Sequence, residues 1–382
     1  MLKIRTPISQ FHNAKHIVAE PNSLIALKGL QCVKVAIIIS KSISLDESKI
    51  EYIKNNISQH ELIFIVRSWD SEPEIDSMKK SLNELYSFSP DCIIAIGGGS
   101  VIDGAKILWT FYEHPELANL NSLKPFKVPK LRGKSKFVAV PTTIGTGSEV
   151  SSSAILFDKT SGTKIPIVTN DYLPDLVILD AKLVLGIPKN IMVSTIIDAC
   201  SHSIEGFVSK IDNHLMEHFS FLALNIIFKY SEQLIKNPND EKLISNLQYA
   251  SMIAGWVQNH CIIGSCHALS HQLGNFGISH GVANSIFLPE TIKFNSKNSK
   301  LTKEKYESIA DFCGISNGIN GMLSKIEKII SMGEFQVKLS EYNINNEDFI
   351  KIAEHALLDP GSTYNPISLS KSNYIQILKK VL

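Results

Sequence analysis

The chain has 382 residues, 44% hydrophobic and 20% charged, with 38 Lys plus Arg against 37 Asp plus Glu and a formal net charge of +1. That balance lacks the basic surplus that holds a nucleic-acid backbone. A mean hydropathy of +0.06, with no uncharged apolar run of about 18 residues, gives no membrane span.

Residues 1–7, MLKIRTP, lack the apolar core of a secretory signal. The six cysteines, Cys32, Cys92, Cys200, Cys261, Cys266 and Cys313, form no C-x-x-C pair and are too sparse for a disulfide scaffold. They read as buried small hydrophobes of a reduced, cytoplasmic protein. Residues 33–39, 62–66, 92–96, 137–140 and 176–179 are short, nearly continuous apolar runs, as strands buried on both faces are. Residues 74–87 carry Ile75, Met78, Leu82 and Leu85 at helical spacing. Strand alternating with helix predicts a parallel sheet with crossover helices. Past residue 185 helical periodicity dominates, as in 219–234, 242–256 and 306–313. Residues 186–190, GIPKN, read as a joint, and the polar stretches 297–300 and 343–347 as loops or helix starts. The expectation is an α/β domain over 1–185 followed by an all-α domain over 186–382.

Two loops carry chemistry in the first half. The run 92–96 leads into Gly97, Gly98, Gly99 and Ser100, then Asp103 and Lys106. Strand, glycine turn and helix start offer backbone N–H groups and a positive helix end to a phosphate, and glycines let the anion approach the backbone. This is not the G-x-G-x-x-G fingerprint, and Ser100-x-x-Asp103 equally fits a capping box. A second loop, residues 141–149, holds Thr142, Thr143 and Thr146 among glycines. It follows a parallel strand, so it falls at the carboxyl edge where open α/β sheets bind ligands. Together the loops point to a nucleotide site.

The helical half holds a different set. Asp198 and His202 stand four apart, as do His267 and His271, with His280 nine residues further on. The i, i+4 spacing puts each pair on one helix face. A mixed carboxylate and imidazole set suits Fe(II), Zn(II) or Co(II) better than Mg or Ca. It is not the HExxH of a metalloprotease, because Ala268 occupies the Glu position. Buried, hydrogen-bonded histidines are the competing reading.

In family order, these motifs and their neighbours resemble the iron-containing (group III) alcohol dehydrogenases. The resemblance rests on Gly97–Ser100 with Asp103 and Lys106, on residues 141–149, and on Asp198-x-x-x-His202-x-x-Glu205. His267 to Gly274, His280 to Asn284, Leu288–Pro289, Asp359–Pro360 and Asn365–Pro366 continue it to residue 366. It implies a Rossmann-like N-terminal domain binding the dinucleotide, a helical metal-binding domain, and an active site in the cleft between them. It makes Asp198, His202, His267 and His280 the metal ligands, for Fe(2+) or Zn(2+). It places His271 near the nicotinamide, where it could orient substrate or relay a proton, and Lys164 near the cofactor.

The implied reaction is NAD(P)-linked hydride transfer between the nicotinamide and an alcohol or aldehyde whose oxygen the metal polarises. Relatives often carry Asp after the first such strand, which repels a 2′-phosphate. Here Lys41 stands there between Ser40 and Ser42, tilting the expectation toward NADP(H) over NAD(H). The partner is a small-molecule alcohol or aldehyde, with no nucleic acid and no membrane, in a homodimer or higher homo-oligomer. Alternatives are a dehydroquinate-synthase-like or glycerol-dehydrogenase-like zinc enzyme, and a non-catalytic nucleotide- or metal-binding protein. Departures from the family pattern include eight residues between His271 and His280, Ser203 after the second ligand, and Gly206–Phe207. They put the identity of the substrate in doubt rather than the reaction class.

Overall fold

The computed structural model describes residues 10–69, 72–117, 123, 127–158 and 163–382. The segment 1–7, read above for a signal, and residues 161–162 before Lys164 lie outside them. Six parallel strands form the main sheet: β1 (His16–Val18), β2 (Lys34–Ile39), β3 (Glu61–Val66), β4 (Cys92–Gly97), β5 (Lys136–Pro141) and, from the end of this half, β8 (Leu176–Ile178). Their order across the sheet is β1-β8-β5-β4-β2-β3. The five apolar runs are five of these strands. Along β2, Ala36 and Ile38 face one core and Val35, Ile37 and Ile39 the other, so both faces are covered. That two-sided burial is why the runs do not alternate with polar residues.

Helices α1 (Lys41–Ser44) and α2 (Glu47–Asn55) follow β2, α3 (Ile75–Phe88) follows β3, and α4 (Gly99–Glu113) follows β4. The spacing of Ile75, Met78, Leu82 and Leu85 does build α3, and all four are buried. The capping box at Ser100 does not form. Gly98 is the N-cap of α4 and makes no side-chain cap bond, because the Ser100 hydroxyl instead accepts from Arg67 Nη1 at 2.7 Å. An antiparallel hairpin of β6 (Ser153–Asp158) and β7 (Thr163–Val168) stands apart from the sheet. It and β1 were not expected; β1 is three residues long, and β7 carries Pro166, which edge positions tolerate.

From residue 189 the described chain is helical: α5 (Lys189–Val208), α6 (His214–Lys236), α7 (Glu241–Cys261), α8 (Ser265–Ser270), α9 (His280–Asn298), α10 (Lys300–Phe312), α11 (Gly318–Ser331), α12 (Asp348–Leu358), α13 (Pro360–Tyr364) and α14 (Lys371–Lys380). The expected joint is a turn in which Gly186 takes φ +76°, a conformation that glycine adopts without strain. Pro188 then stands immediately before α5. Ser299 separates α9 from α10 and accepts Thr302 N–H, so the polar stretch there is a helix start. Helix α5 is long and apolar enough to cross a membrane by length and composition, but 89% of its apolar window is buried inside the protein. It is the core helix, packed against α6, α7 and α9.

Candidate active site

The first cluster forms where β4 and β5 end side by side. Thr142 N–H donates to the Gly97 carbonyl at 3.0 Å, joining the glycine turn to the threonine loop. A Cβ on Gly98 would lie 3.1 Å from Thr143 Cγ2, and one on Gly99 would lie 2.9 Å from Thr146 Cγ2. Neighbouring loop and turn are therefore packed to a distance that side chains here would forbid. Lys106 anchors the arrangement from below. It is fully buried, and its ammonium donates to the carbonyls of Ser148, Ser151 and Ser153 at 2.7, 2.8 and 3.0 Å. Burial pulls its pKa down to about 8.

Asp103 turns toward the hairpin, its Oδ2 accepting Ile155 N–H at 3.1 Å, and burial pushes its carboxyl up to about 6. Thr143 Oγ1 and Asp103 Oδ1 are buried without a hydrogen-bond partner among the described residues. Lys41 is exposed at the start of α1, where Ser40 caps the helix by accepting Ile43 N–H. Arg67, which sequence reasoning passed over, joins this edge through Ser100.

The second cluster is built on α5. Asp198, His202 and Glu205 recur at i, i+4 and i+7 and so share a face. Helix α8 supplies His267 and the first turn of α9 supplies His280. One ligand atom from each of Asp198, His202, His267 and His280 lies within 4.8 Å of the others. The Nε2 atoms of the three histidines stand 3.4, 3.5 and 3.5 Å from Asp198 Oδ1. A tetrahedron with metal–ligand bonds of about 2.1 Å has edges of about 3.4 Å, so these atoms fit one transition-metal ion. The described residues thus gather all four expected ligands; His271, expected near the nicotinamide rather than as a ligand, stacks on His280 with ring centroids 5.4 Å apart.

Electrostatics favour that fit at Asp198, His202 and His280, whereas His267 would have to give up a proton to an ion. Burial opposes ionisation of Asp198, yet His202 and His280 hold its carboxyl well below the usual range. Burial pulls His202 down to about 3 and His280 to about 4, so both stay neutral, as ligands must. Burial also works against charging His267, but Asp198 and Glu205 outweigh it and raise it to about 9. Glu205 divides its carboxylate between His267 Nδ1 at 2.5 Å and Cys266 N–H at 2.7 Å. Asn284, fully buried, places Nδ2 2.8 Å from Asp198 Oδ1. His271 Nδ1 lies 2.8 Å from Asp359 Oδ2, whose other oxygen accepts Gly361 N–H and caps α13. Glu205, Asn284 and Asp359 all lay inside quoted motifs, but only Glu205 had a signal of its own, in its helical spacing.

The two clusters meet across α5. A Cβ on Gly145, in the threonine loop, would lie 2.0 Å from the Thr195 carbonyl oxygen, less than one turn before Asp198. On the other side, Lys164 of β7 reaches the turn that starts at His271: its Cε is 3.6 Å from a Cβ built on Gly274. A parallel sheet with a glycine turn, joined to a buried carboxylate and imidazole cage, defines a metal- and nucleotide-dependent oxidoreductase architecture.

Comparison with known proteins makes the family explicit. The family model described as iron-containing alcohol dehydrogenase matches residues 15–181, and its C-terminal counterpart, described as Fe-containing alcohol dehydrogenase family, matches 192–382. The chain belongs to the iron-containing alcohol dehydrogenase family. It is a metal-dependent oxidoreductase that acts on CH–OH groups of small molecules, with iron and NAD(P) as the family's cofactors. It is 31% identical over 374 residues to the NADPH-dependent butanol dehydrogenase of Clostridium saccharobutylicum, covering 94% of each chain. It is 30% identical over 394 residues to an alcohol dehydrogenase of Thermococcus barophilus, covering 97% of this chain and 99% of that one. Against the bifunctional aldehyde-alcohol dehydrogenase AdhE of Escherichia coli (strain K12), 32% identical over 334 residues, the chain spans 37% of the relative's length. The iron-containing alcohol dehydrogenase of Thermococcus thioreducens superposes with a TM-score of 0.88 at 26% identity, over 98% of this chain and 99% of that one. Neither a dehydroquinate-synthase-like enzyme nor a non-catalytic binding protein is favoured by these likenesses.

Proposed function

We propose that Asp198, His202, His267 and His280 hold the catalytic divalent ion and that the enzyme reduces small aldehydes, or oxidises the alcohols, with NADP(H) in preference to NAD(H). One observation carries the reading: four ligand atoms of the right chemistry lie within 4.8 Å of one another, beside the carboxyl edge where the glycine turn ends β4. When bound, the ion supplies Lewis-acid polarisation of the substrate oxygen and the nicotinamide gives or takes the hydride. The chain's residues do the remaining work. Gly97, Gly98, Gly99, Ser100, Thr142, Thr143 and Thr146 present backbone N–H groups and hydroxyls to the dinucleotide's phosphates, and Asp103 braces that turn against the hairpin. Lys164 adds a cation at the cleft. Lys41 meets the 2′-phosphate; the NADPH-dependent butanol dehydrogenase among the relatives supports this choice. Glu205 fixes the ring of His267. His271, oriented by Asp359, delivers or removes the proton at the substrate oxygen.

In the same reading the chain divides near residue 185 into a dinucleotide-binding domain and a helical metal-binding domain, and it works as a homodimer or higher homo-oligomer in the cytoplasm. Six free cysteines support a reducing compartment. The test is anaerobic purification, elemental analysis and a panel of aldehydes with both reduced cofactors. One equivalent of iron or zinc and higher kcat/KM with NADPH are expected. Asp198→Ala and His267→Ala should lose both the metal and turnover. Full activity in either metal-free variant overturns the ligand assignment, and a strong NADH preference overturns the role of Lys41.

A further inference from the structure

Glu72 stands in the loop between β3 and α3, at the carboxyl edge of the sheet. Its Oε1 lies 2.7 Å from Lys164 Nζ on β7. The loop is stitched to the hairpin, since Phe157 N–H donates to the Pro73 carbonyl at 2.7 Å. Lys164 extends from this pair toward the helical half, reaching Gly274 and, through its charge, His280. The charge of Glu72 is felt in the opposite direction, at Asp103 in α4. A carboxylate thus sits on a cation that reaches from the hairpin toward the helical half, and its charge is also felt at the start of α4.

That placement is unfavourable for an anion site. A fixed negative charge beside Lys164 neutralises the cation that would meet the phosphates the glycine turn would hold. The pair is also within reach of solvent, with side chains 13% and 30% exposed, so a ligand can compete for it. We propose that Glu72 tunes cofactor affinity by competing with the dinucleotide's phosphates for Lys164. On binding, the ammonium exchanges one carboxylate partner for phosphate oxygens; no bond or proton is made or lost. Breaking the ion pair is subtracted from the binding free energy, which keeps affinity moderate and release fast. The proposal rests on the reading that the glycine turn and Lys164 hold the dinucleotide.

The test is equilibrium binding of NADPH, NADH and ADP-ribose to the metal-loaded enzyme, by fluorescence or calorimetry, at low and high NaCl. Glu72→Gln keeps the shape and removes the charge. It should bind all three about two- to fivefold more tightly than wild type, the range of one partly screened charge pair, with a steeper loss of affinity on adding salt. Lys164→Gln should bind them more weakly, and the double variant should match Lys164→Gln alone. Weaker or unchanged binding in Glu72→Gln overturns the proposal, as does a double variant that still binds more tightly than Lys164→Gln. No effect of Lys164→Gln removes the underlying reading of Lys164 itself, whereas a weakened Lys164→Gln beside an unaltered Glu72→Gln refutes only the role of Glu72. Thermal melts of each variant separate a folding defect from a binding change.

Discussion

Glu205 Oε2 lies 2.5 Å from His267 Nδ1, and both side chains are buried. The contact sets Nδ1 of His267 toward the carboxylate and turns Nε2 toward Asp198 and the Asn284 amide. Such outer carboxylates raise the basicity of the ligand and lock its orientation. His202 and His280 have no such support: their Nδ1 atoms are buried without a partner among the described residues. Glu205→Gln keeps a carbonyl oxygen for Cys266 N–H but withdraws the charge. Metal affinity should fall roughly 10- to 100-fold, read by competition with a chelator and by elemental content. Unchanged affinity would show the pair to be structural only.

Asp359 has two duties, as N-cap of α13 and as partner of His271. Asn caps helices about as well as Asp, so Asp359→Asn should leave stability within about 1 kcal/mol of wild type. The variant loses the carboxylate charge that faces His271 Nδ1. We expect kcat to fall roughly 10- to 100-fold with cofactor KM little altered, since a positioned acid or base contributes factors of this order and above. Steady-state kinetics beside denaturant melts would separate the two duties.

Gly145 is required by backbone rather than by any side chain. A methyl there meets the Thr195 carbonyl at 2.0 Å, so the loop or α5 must move. Gly145→Ala should destabilise the protein by about 1–3 kcal/mol, the usual scale of overpacking. Because α5 carries Asp198 and His202, metal content should drop together with stability. A thermal melt and elemental analysis on one preparation suffice.

Burial pushes the Glu149 carboxyl up to about 7 from an ordinary 4.5, with Lys106 pulling weakly the other way. The native state therefore binds this proton more tightly than the unfolded chain does. The resulting stabilisation is fully present below pH 4.5 and is lost as pH rises through about 7. Glu149→Gln removes the titration. Its stability relative to wild type should climb between pH 4.5 and 7 and level off above, by on the order of a few kcal/mol. Urea melts at pH 5, 6 and 8 give the sign directly.

Much of this is legible in the sequence itself. The β-branched runs located five strands because both sheet faces are covered; spacing drew attention to one carboxylate and four histidines, and it was the family resemblance that singled out Asp198, His202, His267 and His280 among them. What stayed hidden has physical causes. Strand β1 is three residues long, too short to show a period, and β7 contains Pro166, which argues against a strand. The partnership of Ser100 with Arg67 displaced the local capping bond that the spacing favoured. Asp359 and Glu72 act on residues 88 and 92 positions away in the chain, and no local pattern encodes such contacts.

Strand β1 has a consequence for how the protein is made. It pairs with β8, His16 opposite Leu176, so the first strand among the described residues finds its place only after the last strand of the sheet exists. The flanking residues are also tied to α7: Asn13 accepts from Trp256, Ala19 from Tyr249, and His12 N–H donates to His260. Loops this long close slowly, and unpaired strand edges are the usual sites of misassembly. Strand β1 therefore remains an unpaired edge until β8 has been made, and the residues flanking it complete their bonds only once α7 follows.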